Sequence, residues 1–173
     1  MGIRCGGCGE EHDISNIEPS YLAPDVIRAL PDGVWQKRAK LTKNFAALPA
    51  DDRFFLRVLV PFRVEGRKLP CSWGLWVEVA PADFQAVGQL WDAPDQADHG
   101  PWPATLANDA ATYPSTLGLR GSVHFADPNQ IPHLRLDPEQ DHPFIADWKR
   151  GVSEAQVMKW LEPFLHGQRS TLH

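Results

Sequence analysis

The sequence predicts a single α+β domain, with a mostly antiparallel sheet of about four or more strands, flanking helices and an N-terminal Cys/His knuckle. Three patterns predict it. Two runs that alternate apolar and polar residues flank a short turn. A second alternating pair is symmetric about Asp127-Pro128-Asn129-Gln130. Stretches after Pro81 and Ser153 repeat apolar residues at helical spacing instead. Strands joined by short turns, with helices set apart from them, describe an α+β fold. At 173 residues, 43% hydrophobic and 10% aromatic, the chain can build its own core, and this size suits one domain. Residues 1–15 read as a zinc-knuckle arm and 16–173 as the α+β domain.

Residues 14–32 hold a short helix, with Pro24 in its first turn, Asp25 beside it, and Val26, Ile27 and Leu30 on one face. From 33 to 52, Val34, Trp35, Ala39 and Leu41 interleave with Lys37, Arg38, Lys40 and Lys43. That mixture supports only a helix or irregular crossing with a solvated basic face. The clearest strand follows, RFFLRVLVPFRVEG, with Leu56, Val58, Val60, Phe62 and Val64 on one side. Pro61 has no amide hydrogen for a ladder, which predicts an edge or a bulge there. Beyond the turn at Glu65-Gly66-Arg67, the run SWGLWVEV puts Trp73, Leu75, Val77 and Val79 on one face and forms an antiparallel pair with its predecessor. Pro81 opens a helix bearing Phe84, Val87, Leu90 and Trp91.

Residues 92–118 read as a long polar, Pro-containing loop, the kind that often carries function. Symmetric pairing about Asp127–Gln130 then puts Val123, Phe125, Leu134 and Leu136 inward. Ser122, His124, His133 and Arg135 fall outward, with Arg120 opposite Asp137. In the last helix Ser153 and Gln156 have capping-box spacing, Val157, Trp160, Leu161, Phe164 and Leu165 form the stripe, and Pro163 kinks or ends it.

The net charge of −5, from 17 basic and 22 acidic residues, argues against a nucleic-acid binder. No apolar run approaches a membrane span, and the N-terminus lacks the apolar stretch of a secretory signal, so the expected location is the cytoplasm. No phosphate-binding glycine loop, G-x-S-x-G elbow or H-E-x-x-H occurs.

Cys5, Cys8 and His12 form Cys-x2-Cys-x3-His, donors that zinc prefers at a spacing one tight turn can aim. Two other readings of the pair stand beside zinc: free thiols in an arm, or a redox C-x-x-C, for which Gly6-Gly7 makes a poor helix start. Structural zinc takes four ligands, so Cys71, His142, His133 or solvent must complete the set. His124 and His133 are neighbours across a hairpin and could bind a metal or move protons, against the plainer reading of a wet sheet face. Asp141 reads as a cap for the following helix rather than a partner for His142. Trp76 lies opposite Trp73 on its strand. If the loop 92–118 folds over that face, Trp76 and Trp102 wall a groove that His124 and His133 extend.

The order Cys-x2-Cys-Gly-x2-His, FFLR, WGLWVEVAPADF, QLW, GPW, YPSTLGL and DHP resembles the DUF2199 family of bacterial proteins from Cys5 to about Gly151. The resemblance implies one domain of bacterial origin. It sets Cys5, Cys8 and His12 on the family's first motif, Trp73, Gly74 and Trp76 on its central one, and Asp141 and His142 on its late one. The family pattern often has a further cysteine before the FFLR-like strand. Here that stretch reads Asn44-Phe45-Ala46-Ala47-Leu48; were that cysteine the usual fourth ligand, the resemblance would imply an incomplete or altered site in this chain.

The expected function is therefore a cytoplasmic binding or regulatory module with a structural zinc ion, taking a protein partner or small molecule and neither nucleic acid nor membrane. The alternative is a metal-assisted hydrolase using the Cys/His cluster or the sheet histidines. A zinc site with three protein ligands and an open fourth position would favour it.

Overall fold

The computed structural model describes residues 2–4, 11–13 and 17–165. Gly2–Arg4 (β1) and Glu11–Asp13 (β2) form a small antiparallel hairpin with Ile3 opposite His12. Next come Asp25–Arg28 (α1), Trp35–Arg38 (α2), Lys40–Leu41 (β3), Phe45–Leu48 (β4), Arg53–Phe62 (β5), Cys71–Val79 (β6) and Pro81–Leu90 (α3). Trp102–Leu106 (β7), Arg120–His124 (β8), His133–Leu136 (β9), Pro143–Arg150 (α4) and Glu154–Leu165 (α5) complete the order. Among the described residues no helix is long and apolar enough to cross a membrane.

Strands β3 to β9 form one seven-stranded sheet in sequence order, antiparallel throughout, and a parallel bridge at Leu59–His133 closes β5 onto β9. The result is a five-stranded barrel, β5 to β9, with β3 and β4 as a flap on its seam. The first half of β5 pairs with β4 and the second half meets β9. Arg57 N–H donates to the Asn44 carbonyl and Leu59 N–H to the Pro132 carbonyl, both at 2.9 Å. Pro61 is next in that series, just beyond the bridge to β9, where a strand loses nothing by lacking a donor.

The alternation seen in the sequence is the inside and outside of this barrel. Leu56, Val58, Val60, Trp73, Leu75, Val77 and Val123 are all fully buried, and Leu134 and Leu136 join them. Five strands enclose little more than the volume of their own side chains, and aromatic rings seal both ends. At one end α4 and α5 pack Phe144 and Trp160 on Phe62, with ring centroids 5.1 and 5.0 Å away. At the other, Trp91 after α3 meets Phe45 and Phe125 at 4.6 and 5.6 Å.

A second apolar cluster lies outside the barrel. Phe55 and Trp76 point outward from β5 and β6 and are covered by Ala23, Ile27, Ala46 and Leu48. The covering segment is tied down by backbone pairing: Gly74 N–H donates to the Pro19 carbonyl at 2.8 Å, and Tyr21 N–H to the Gly74 carbonyl at 3.0 Å. A Cβ at Gly74 would lie 2.4 Å from Ser20 Oγ, so the close approach requires glycine here.

Several expectations change. The helix expected within 14–32 shrinks to the four residues of α1, because the segment is held against β6 by strand-like bonds at 19–21. The stretch 33–52 contributes β3 and β4 as well as α2. The loop expected over 92–118 contains β7, whose alternation was hidden by Pro101 and Pro103; Pro103 points outward and is exposed. Helix α5 continues past Pro163 to Leu165, and Ser153 Oγ accepts from Gln156 N–H at 3.3 Å as the capping spacing suggests.

Candidate functional site

The β8–β9 hairpin has the register that its sequence symmetry implies: Ser122 opposite Arg135, Val123 opposite Leu134, His124 opposite His133. Since Val123 and Leu134 are buried in the barrel, strand alternation turns Ser122, His124, His133 and Arg135 outward as one polar row. Ser122 Oγ and His124 Nε2 are hydrogen-bonded at 2.8 Å. Burial first, and then the positive charge of Arg135, hold His124 below the ordinary imidazole pKa. The shift favours the neutral ring, in which one nitrogen donates and one accepts.

Beside this row a groove of about 770 Å³ runs across the outer faces of β6 to β9, bounded by the start of α3. Its apolar lining comes from the exposed Ala80, Pro103 and Pro138, while Thr105, Ser122 and Arg135 supply polar atoms. Two ion pairs frame it. Arg53 clasps Glu78 through both oxygens at 2.9 and 2.7 Å, and Arg120 Nη2 meets Asp137 Oδ2 at 3.1 Å, the pairing expected from the hairpin register. Asp83 stands on the groove wall in the first turn of α3, where helix N–H groups favour a carboxylate.

Trp76 and Trp102 wall no common groove. Trp76 belongs to the outer cluster under the 17–48 segment, its Nε1–H donating to the Tyr21 carbonyl at 3.0 Å. Trp102 belongs to the barrel core, 5.5 Å from Phe125. The loop that was to bring them together is partly β7, which places Trp102 inside. Cys71 also faces the barrel core, 2% exposed, and burial pushes its thiol up to about 11. His142, rather than Asp141, caps α4. Its Nδ1 accepts from Phe144 N–H at 3.0 Å, and its Nε2 bonds the Ser115 carbonyl at 3.1 Å. Both ring nitrogens are thus hydrogen-bonded. Cys5 and Cys8 lie outside the described residues, and of His12 only the backbone is described. Among the described residues no cluster of three or more His, Cys, Asp or Glu side chains could hold a metal ion.

A family model described as an uncharacterized protein conserved in bacteria (DUF2199) matches residues 4–152, most of the chain. The chain belongs to the DUF2199 family. No curated protein and no solved structure matches it. In this DUF2199 chain the matched span contains the whole barrel, the groove and Cys5, Cys8 and His12, while α5 lies beyond it. The motifs of the DUF2199 resemblance have structural work here: Trp73 fills the barrel, Gly74 admits Ser20, and Trp76 anchors the outer cover. His142 joins α4 to the 107–118 loop.

Sequence reasoning had Ser122 and Arg135 on the outer row but did not connect them to a site. The missing wall was β7, so Thr105 and the groove could not be placed.

Proposed function

We propose that this chain is a cytoplasmic binding module whose ligand is a small molecule lying in the groove outside β6 to β9. One observation carries the reading: the barrel interior is filled with side chains and one outer half is buried under residues 17–48, while the other half presents an open groove edged by polar groups. Concave, mostly apolar surfaces with a few placed polar atoms are where small ligands bind. Cys5, Cys8 and His12 provide donors suited to a structural zinc ion, which would staple an arm too short to dock on apolar surface alone.

The groove is tested by a small-fragment screen read in amide NMR spectra. Binders should shift Thr105, Gly121 and Ser122, and the outward substitution Thr105→Trp should abolish those shifts. Binders that map elsewhere, or persist in Thr105→Trp, contradict the assignment. Zinc is tested by elemental analysis of tag-free protein beside Cys5→Ser: about one zinc per chain, lost in the variant, is expected, and a well-folded parent without metal ends the zinc reading.

A second reading has one observation in its favour. The 2.8 Å bond between Ser122 Oγ and a neutral His124 is the geometry of a nucleophile beside a base. No described carboxylate hydrogen-bonds the other ring nitrogen of His124, so the orienting third group is missing among the described residues. Hydrolysis of an activated ester, abolished in Ser122→Ala, would favour the enzyme; equal background rates in parent and variant favour the binding module.

A further inference from the structure

We infer that the groove takes its ligand by an anionic group, a carboxylate or phosphate, seated on Arg135 beside Ser122. This deepens the groove reading and rests on it. The starting observation is the state of the arginines. Arg28, Arg38, Arg53, Arg67, Arg120 and Arg150 each pair with an acid. Arg57 donates to Ser20 Oγ and Arg63 to the Arg150 carbonyl. Among the described residues, Arg135 alone of the arginines whose side chains are described donates to nothing, and it lines the groove.

The groove's own acids do not compensate it. Glu78 and Asp137 are held by Arg53 and Arg120, and Asp83 sits on the opposite wall in the first turn of α3. Arg135 therefore presents a free, planar set of donors, the group best suited to grip a carboxylate or phosphate through two oxygens.

Ser122 supplies the second contact. It is the direct cross-strand partner of Arg135, and facing Cβ atoms in such a pair lie about 5 Å apart. One anion can span both. When His124 carries its proton on Nε2, that N–H donates to Ser122 Oγ across the 2.8 Å bond, which frees the hydroxyl hydrogen to turn to the anion. The serine hydroxyl, polarised by the imidazole, and the guanidinium then converge on one point at the groove's polar edge. The exposed apolar lining of Ala80, Pro103 and Pro138 would hold the uncharged remainder of the ligand.

The probes are inorganic phosphate and acetate, titrated at constant ionic strength into the full-length chain and followed by the Arg135 Nε–Hε signal and the Gly121 and Ser122 amides. Saturable shifts are expected in the parent. Arg135→Gln should weaken them on the order of tenfold, the loss of a charge-assisted two-oxygen contact, and Arg135→Lys should keep part of the affinity. The tighter of the two anions identifies which group the site prefers. Unchanged affinity in Arg135→Gln overturns the inference, as does an absence of shifts with both anions. Uncharged fragments that still bind at Thr105 would then show that the groove reading survives; if they too fail, both fall.

Discussion

Asn108 is fully buried, and replacing it tests how the outer cover is held. Its Oδ1 accepts from Trp76 N–H at 2.8 Å, while its Nδ2 donates to the Ala23 carbonyl and to Asp25 Oδ1, both at 2.9 Å. One side chain thus joins β6, the segment before α1 and α1 itself. In Asn108→Ala the Asp25 carboxylate keeps Arg28 and the Asp109 N–H, but Trp76 N–H and the Ala23 carbonyl lose the bonds that Asn108 made. A buried polar group deprived of its partner costs about 1–3 kcal/mol, so the two together should cost about 2–6 kcal/mol. For a chain of this size each kcal/mol lowers the melting temperature by roughly 2–4 °C.

Urea unfolding followed by tryptophan fluorescence measures the loss, and hydrogen exchange at the Trp76 amide locates it. Asn108→Asp is the control, since it keeps an acceptor for Trp76 but loses both donors and places a second carboxylate against Asp25. Repulsion and burial raise the folded pKa of the new acid above its unfolded value. Its stability deficit therefore shrinks as pH falls toward the unfolded carboxylate range near 4. An Asn108→Ala midpoint equal to the parent's, with unchanged exchange at Trp76, would refute the reasoning: the cover would then be held by apolar packing alone.

Gly74→Ala should destabilise the fold by about 1–3 kcal/mol, the ordinary cost of overpacking, since the new Cβ meets Ser20 Oγ at 2.4 Å and Ser20 Cβ at 3.0 Å. Ser20→Gly in the same chain should recover part of that loss in thermal melts. Cys71, with its thiol raised to about 11 by burial, should resist alkylation at pH 8 in the native protein and react promptly in denaturant; equal rates in the two would show the barrel end to be open. His142→Ala should cost about 1 kcal/mol as a lost helix cap, seen in urea unfolding, and His142→Asn should restore much of it. His124 has a depressed folded pKa, so below the unfolded value near 6.5 the unfolded chain binds a proton that the folded chain does not. Stability should therefore fall as pH drops through 6.5, and His124→Gln should flatten that slope in pH-dependent melts.

Four of the five barrel strands were legible because each carries a strict period of two over a buried interior: Leu56 to Phe62, Trp73 to Val79, and the mirror-related Val123 and Leu134. The helices after Pro81 and Ser153 were legible for the matching reason at period 3.6. What escaped had its pattern masked. The prolines in Pro101-Trp102-Pro103 imitate a loop, yet the outward Pro103 is compatible with β7. Phe45–Leu48 is only four residues long and has no polar face to alternate with, since one side meets the outer cluster. The Asp141-His142 pair shows a limit of another kind: Asp and His can both accept from a helix N–H, and only the coordinates choose between them.

The two halves of the barrel's outer surface differ in what their strands turn outward, and that difference bears on the kind of ligand. From β5 and β6 come Phe55 and Trp76, 0% and 1% exposed, which require the cover supplied by residues 17–48. From β7, β8 and β9 come Pro103, Thr105, Ser122, His124, His133 and Arg135, which need none. The open groove is thus a property of the strand pattern among the described residues. Stable protein docking depends on buried aromatic or aliphatic anchors. The large exposed apolar side chains among the described residues, Leu22, Leu69 and Leu117, all lie outside the groove, whose lining is small and aliphatic with one unpaired guanidinium. That composition suits a ligand small enough to be engulfed and charged enough to be oriented, and so favours a small anionic molecule over a protein partner at this surface.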